Sequence, residues 1–185
     1  MAGLYGAMRL AKADAKGLQY FRTDPIGFYQ SFFAALLILP PFALLLSLEF
    51  QPIYGAEGVD ALSYWVVMMS AYVMGWTAYP IIMFSISRVI QRTTRYIRFI
   101  VAYNWAAVLQ NAAYLTVELL RASGIITTEA AAFLALIVLS LVVLFSWFIA
   151  KTALDIKSGQ AAGLVVIDFL LSMIIHGTAR AILLG

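Results

Sequence analysis

Five stretches of this chain run for roughly 20 residues with almost no charged side chain, the length a helix needs to cross a bilayer. They lie at about 27–48, 62–86, 99–120, 130–150 and 161–184. Apolar residues fill them as blocks rather than as the stripe of a water-facing helix. Of the 185 residues 64% are hydrophobic and 11% charged, which leaves too little polar surface to cover a soluble fold. The expected fold class is therefore all-α: a polytopic transmembrane helix bundle of five spans, residues 25–185, behind a short N-terminal amphipathic helix in residues 1–24.

Local signals delimit the spans. Asp24-Pro25 reads as an N-cap followed by proline at the first helical position. Asp60 is a candidate N-cap for span 2, and Thr127, Thr128 and Glu129 form a capped start for span 4. Pro40 and Pro41 interrupt span 1, and Gly75 and Pro80 interrupt span 2, so kinks are expected there. Asp155 to Gln160 reads as a short polar turn. Arg88 to Arg98 must hold a turn too, although it contains no Gly or Pro. No internal repeat is evident, so an inverted-repeat transporter is not supported.

The first segment places Leu4, Met8, Ala11, Ala15 and Leu18 on one helical face and Arg9, Lys12 and Lys16 on another. A helix lying on an anionic leaflet has this pattern, although Gly3, Gly6 and Gly17 weaken it. No uninterrupted apolar core marks a signal peptide, and Ala2 breaks the N-myristoylation pattern. Ten of the twelve Lys and Arg residues fall on one side of the expected membrane: Arg9, Lys12, Lys16, Arg22, Arg88, Arg92, Arg95, Arg98, Lys151 and Lys157. Arg121 and Arg180 fall on the other. This asymmetry predicts a cytoplasmic N-terminus and an external C-terminus. The expected location is a cell membrane, a bacterial inner membrane with the C-terminus in the periplasm.

Four constellations could carry chemistry. On span 5, Asp168, Ser172, His176 and Arg180 recur every four residues along one slowly rotating face. The pattern reads either as a proton or ion relay or as a buried acid that fixes packing. On span 3, Asn104, Asn111, Tyr114 and Glu118 share a seam flanked by Gln110, suited to interhelical hydrogen bonding or to lining a solute path. The prolines free backbone carbonyls that could line a site or be satisfied by neighbours. Arg88, Arg92, Arg95 and Arg98 could meet anionic lipid headgroups or an acidic partner, or serve only as the orientation signal. Glu118 and Arg180 are expected at similar height and could pair. Asp168 is expected to point into the bundle, towards Asn104, Asn111 or the carbonyl of Trp76 freed by Pro80.

Other chemistries lack their residues. There is no cysteine and one histidine, so no metal site or cofactor is expected. Enzyme motifs for metal hydrolysis, nucleophilic serine, phosphate loops and dinucleotides are missing. A net charge of +3 with no solvated basic domain does not fit nucleic-acid binding.

Gly75-Trp-Thr-Ala-Tyr-Pro80 and Tyr103-Asn104-Trp105 resemble positions of the bacterial Yip1-like membrane family. The resemblance covers about residues 25–184 and implies about five spans behind a cytoplasmic segment. The acidic-Leu-Tyr-Gly-Pro element of eukaryotic members is absent, so their vesicle-traffic role is not implied. The leading expectation is a non-enzymatic scaffold or accessory subunit whose partners are the lipid bilayer, other membrane proteins or a second copy. A small transporter or channel component using the polar faces of spans 3 and 5 is the alternative. A continuous polar cavity reaching Asp168 would favour it. An intramembrane enzyme built on Asp168, His176 and Glu118 comes third, because the three lie at different depths.

Overall fold

Residues 2–185 are described by a computed structural model, and among them the chain is helical with no strand. Helix α1 spans Ala2–Ala11, α2 Pro25–Ser31, α3 Phe33–Glu49, α4 Ala61–Val89, α5 Tyr96–Ala122, α6 Thr128–Leu154 and α7 Ser158–Leu184. Four segments are long and apolar enough to cross a membrane: Pro25–Gly55, Ala61–Val89, Thr128–Leu154 and Ser158–Leu184. Their outer faces expose large apolar side chains, among them Leu62, Ile81, Leu136 and Leu144, each at least 60% exposed. Water would penalise such a surface and lipid does not. Hydroxyl groups along these helices satisfy themselves on their own backbone. Ser70 donates to the Val66 carbonyl (2.7 Å), Ser140 to Leu136 (2.9 Å) and Thr152 to Phe148 (2.6 Å).

The expected caps are in place. The Asp24 carboxylate accepts from the Gly27 amide (2.7 Å), Asp60 from Ser63 (2.9 Å) and the Thr127 hydroxyl from Ala130 (3.2 Å). Span 1 is less regular than its sequence suggests. It breaks between α2 and α3, where the Ser31 hydroxyl donates to the Phe28 carbonyl (2.6 Å), and it extends past Glu49 as a wider π-helical turn, Phe50–Gly55. Pro40 and Pro41 lie inside α3 and Pro80 inside α4, and both helices continue through them.

The arginine-rich turn solves its missing glycine with Gln91, at φ 57°, followed by a 3-10 turn at Thr93–Arg95. Three of its arginines bind the C-terminal end of α6. Arg92 donates to the Asp155 carbonyl (3.1 Å), Arg98 to the Ala153 carbonyl (2.8 Å), and Arg95 pairs with the Asp155 carboxylate (3.1 Å). Cations at a helix C-terminus meet unsatisfied carbonyls and the negative end of the dipole. Arg88 is exposed at the end of α4.

The N-terminal segment departs from the single amphipathic helix expected of it. Helix α1 ends at Ala11, Ala13 takes a φ of 56°, and residues Ala15–Tyr20 fold back as a 3-10 helix. Asp14 drives the reversal: it accepts from the Lys16 amide (2.9 Å) and from Arg9 Nε (2.7 Å). That hydrogen bonding competes with helix continuation. A face other than the one expected to lie on lipid docks on the protein. Met8, Ala11 and Ala15 stay exposed, while Gly6, Ala7 and Leu10 are buried, Gly6 against Gly17 and Phe21 of the returning segment, and α1 as a whole packs on α5 and α6. Gly3, Gly6, Ala7 and Leu10 follow helical spacing, so α1 has a second, small-residue face. A Cβ on Gly17 would stand 2.6 Å from the Gly6 carbonyl, and one on Gly3 would stand 2.5 Å from the Trp105 ring. These glycines permit close docking, which the reading of them as helix weakeners missed.

Candidate functional site

Helix α5 packs against α3 and α6, and α7 packs against α4 and α6. The gap left between α5 and α7 is a cavity of about 460 Å³, walled by α4, α5, α6 and α7. Its formation follows from side-chain size and polarity. Gly75 on α4 presents no side chain, and a Cβ there would meet nothing within 4 Å. Polar groups that would otherwise be forced into lipid gather along the opposing helices.

Asp168 sits at the centre of this arrangement. It lies ten residues past Ser158, about 15 Å along α7 at the helical rise. The Tyr103 hydroxyl on α5 stands 2.9 Å from Oδ1 and 3.1 Å from Oδ2 and donates its single proton to the carboxylate. Asp168 therefore points into the bundle and touches α5, as expected, but its partner is a phenol and not an amide or the Trp76 carbonyl. Tyr103 is itself held by Tyr79 on α4, ring centroids 4.8 Å apart, and by Phe99 at 6.0 Å.

The span 5 stripe divides. Asp168, Ser172 and His176 all line the cavity, which thus follows α7 for about 12 Å. His176 Nδ1 lies 2.9 Å from the Ser172 carbonyl. A carbonyl only accepts, so Nδ1 carries a proton in this contact. Arg180 departs from the cavity and shares a shallow recess with Glu57.

The span 3 seam divides as well. Asn111 and Tyr114 line the cavity, with Gln110 beside them donating to the Ser146 hydroxyl of α6 (3.1 Å). Asn111 spends one N–H on the carbonyl of Ala107, one turn back (2.9 Å). Asn104 turns the other way, is fully buried, and donates to Ser31 at the α2–α3 break (2.8 Å). Its Oδ1 is buried without a hydrogen-bond partner. Glu118 accepts from Arg121, three residues on, at 2.7 Å. The expected Glu118–Arg180 pair is thus absent: Glu118 has a nearer cation on its own helix, and α7 lies across the cavity from α5.

Tyr103, Tyr79 and Ser146 were not singled out as site residues by spacing. A signal existed for the first: Tyr103, Gln110 and Tyr114 recur at seven and four residues, the face that reaches the cavity. Among the described residues no three His, Asp or Glu side chains group as metal ligands. Comparison with protein-family models, with curated proteins and with solved structures finds no match to this chain.

Proposed function

We propose that this chain is a five-span, non-enzymatic integral membrane protein that admits a small polar solute between α5 and α7, as a transporter or channel component. The observation that carries the reading is the cavity itself. It joins the polar faces of two long helices at an intramembrane carboxylate, and such a group is costly unless it serves packing or passage. Counting α5 gives five spans: its 27 residues match α6 in length, and Asn104 and Gln110 turn toward other helices. The lysine and arginine distribution supports a cytoplasmic N-terminus in a bacterial inner membrane. Resemblance to the Yip1-like family belongs to the same proposal, and Gly75, Tyr79 and Tyr103 from its motifs all line the cavity.

The natural absence of cysteine makes a direct test simple. Single-cysteine variants Ser172→Cys in the cavity and Leu141→Cys on the outer face of α6 are exposed to a membrane-impermeant thiol reagent in native membranes. Ser172→Cys should label and Leu141→Cys should not. Equal silence at both positions would defeat solute access. A reporter fused after Gly185 should read external, and a cytoplasmic reading would overturn the five-span count.

The scaffold reading draws on a different observation. Asn104–Ser31 and Gln110–Ser146 spend polar groups on joining helices to one another. It predicts that mild-detergent purification retains stoichiometric membrane partners and that Asp168→Asn leaves their association unchanged.

A further inference from the structure

We infer that the cavity takes a small organic ammonium ion, an inference that rests on the solute-admitting reading above. Three features of the lining select this class. The cavity holds one carboxylate, Asp168, and no Lys or Arg lines it. Tyr103 supplies a single proton to that carboxylate, which can accept at about four positions, so acceptor capacity remains. A carboxylate in a low-dielectric site is stabilised by a positive partner, and no Lys or Arg side chain lines the cavity to supply one.

The neutral groups point the same way. Gln110 and Asn111 each spend one of their two amide N–H groups inside the bundle, and their carbonyl oxygens keep acceptor sites for a donor-bearing ligand. A ligand rich in donors fits this wall, whereas an anion finds no charged donor.

Aromatic rings then separate an organic cation from a metal ion. Tyr79, Tyr103, Tyr114 and Phe169 line the cavity, and ring faces attract cations while accommodating hydrocarbon. Hard divalent cations take six or more oxygen ligands, and among the described residues no three His, Asp or Glu side chains group to hold one, so such an ion would keep most of its water beside the single carboxylate. The volume, about 460 Å³, lies within the span typical of small-molecule pockets. The ammonium head would lie against Asp168, with its carbon chain along the phenol rings.

The test uses the full chain in lipid nanodiscs and titrates n-butylammonium by calorimetry, with n-butanol, butyrate and magnesium chloride as the comparison probes. Butylammonium should bind saturably, and the other three should bind at least about tenfold more weakly. Asp168→Asn should lower butylammonium affinity by about tenfold or more. Tyr103→Phe keeps the carboxylate and should change it by less than about fivefold. Gly75→Phe, which fills the cavity from a position with open space around it, should abolish binding. Should Asp168→Asn fail to give a monodisperse protein, the contrast between butylammonium and butanol in the wild type decides alone. Butanol binding as tightly as butylammonium, or a folded Asp168→Asn that retains full affinity, would overturn the ammonium assignment while leaving solute access standing. Failure of every probe together with an unlabelled Ser172→Cys would remove the solute-admitting reading itself.

Discussion

Helices α5 and α6 are the same length, 27 residues, and pack against each other, yet they solve opposite problems. Helix α6 faces outward along Phe133, Leu136, Leu141 and Leu144, all at least 60% exposed, and is apolar enough to be read as a span on composition alone. Helix α5 buries Phe99, Ile100, Val101, Ala102, Asn104 and Ala106 in succession and carries two asparagines, a glutamine and a glutamate. Asn104 and Gln110 find partners on neighbouring helices, at Ser31 and Ser146, while Asn111 and Glu118 are satisfied within α5 itself. The more polar of the two helices is thus the one on which α1, α2, α3 and α6 all pack.

That contrast is open to direct attack. The largest effect should come from overfilling α5. Ala106 is fully buried in the main apolar cluster, so Ala106→Leu should destabilise the bundle by about 1–3 kcal/mol, read as a lowered thermal midpoint in detergent. The same enlargement at Ala132, exposed on α6, should leave that midpoint within about 0.5 kcal/mol. Equal sensitivity at the two sites would erase the distinction.

A smaller effect concerns the polar contact between α5 and α2. Asn104→Leu removes the bond to Ser31 together with an unpartnered buried oxygen, and the two losses oppose each other. The net cost should be at most about 1 kcal/mol, near the typical value for interhelical bonds in membranes. Asn104→Asp, which places a carboxylate in the same spot, should cost clearly more. An indifferent Asn104→Asp would show that this part of α5 is wetter than its burial implies.

The smallest effect should appear in the cover that α1 lays over α5. The Arg9 guanidinium, followed by the Lys16 amide, holds the Asp14 carboxyl below the usual carboxylate range. A depressed folded value means that the contribution is present above the unfolded carboxylate value and is lost as pH falls through the folded one. Amide exchange in α1 should therefore be flat through neutral pH and accelerate only in acid. Asp14→Asn should remove that acid-side change. An α1 that loosens near neutrality instead would point to a group other than Asp14.

Much of the architecture was legible because it is written locally. Asp24, Asp60 and Thr127 announce helix starts through side-chain chemistry that acts over three residues. The long apolar blocks require helices wherever they meet lipid. The site was legible in part: Asp168, Ser172, His176, Asn111 and Tyr114 reach one cavity. What stayed hidden depends on which way a helix is turned. One residue separates Tyr103 from Asn104, and that step of about 100° sends the first to Asp168 and the second to Ser31. The spacing of Tyr103, Gln110 and Tyr114 marks the cavity face, but the seven-residue spacing of Asn104 and Asn111 competes with it, because both faces carry polar groups. Glycines misled for a related reason. In α1 they read as weak helix formers, and their use at Gly6 and Gly17 becomes visible only when two backbones are seen to cross.

The docking of α1 also sets an order of events during synthesis. Gly3 packs on Trp105, which the ribosome adds about 100 residues later, roughly 5–20 s at usual elongation rates. Throughout that interval Gly6 can already meet Gly17 in its own segment but Gly3 has no Trp105 to pack on, while the exposed Met8 and the basic residues can rest on the lipid headgroups. Helix α1 is thus made well before the α5 surface that holds it. A nascent chain halted before α5 should leave α1 open to protease, and one halted after α6 should protect it.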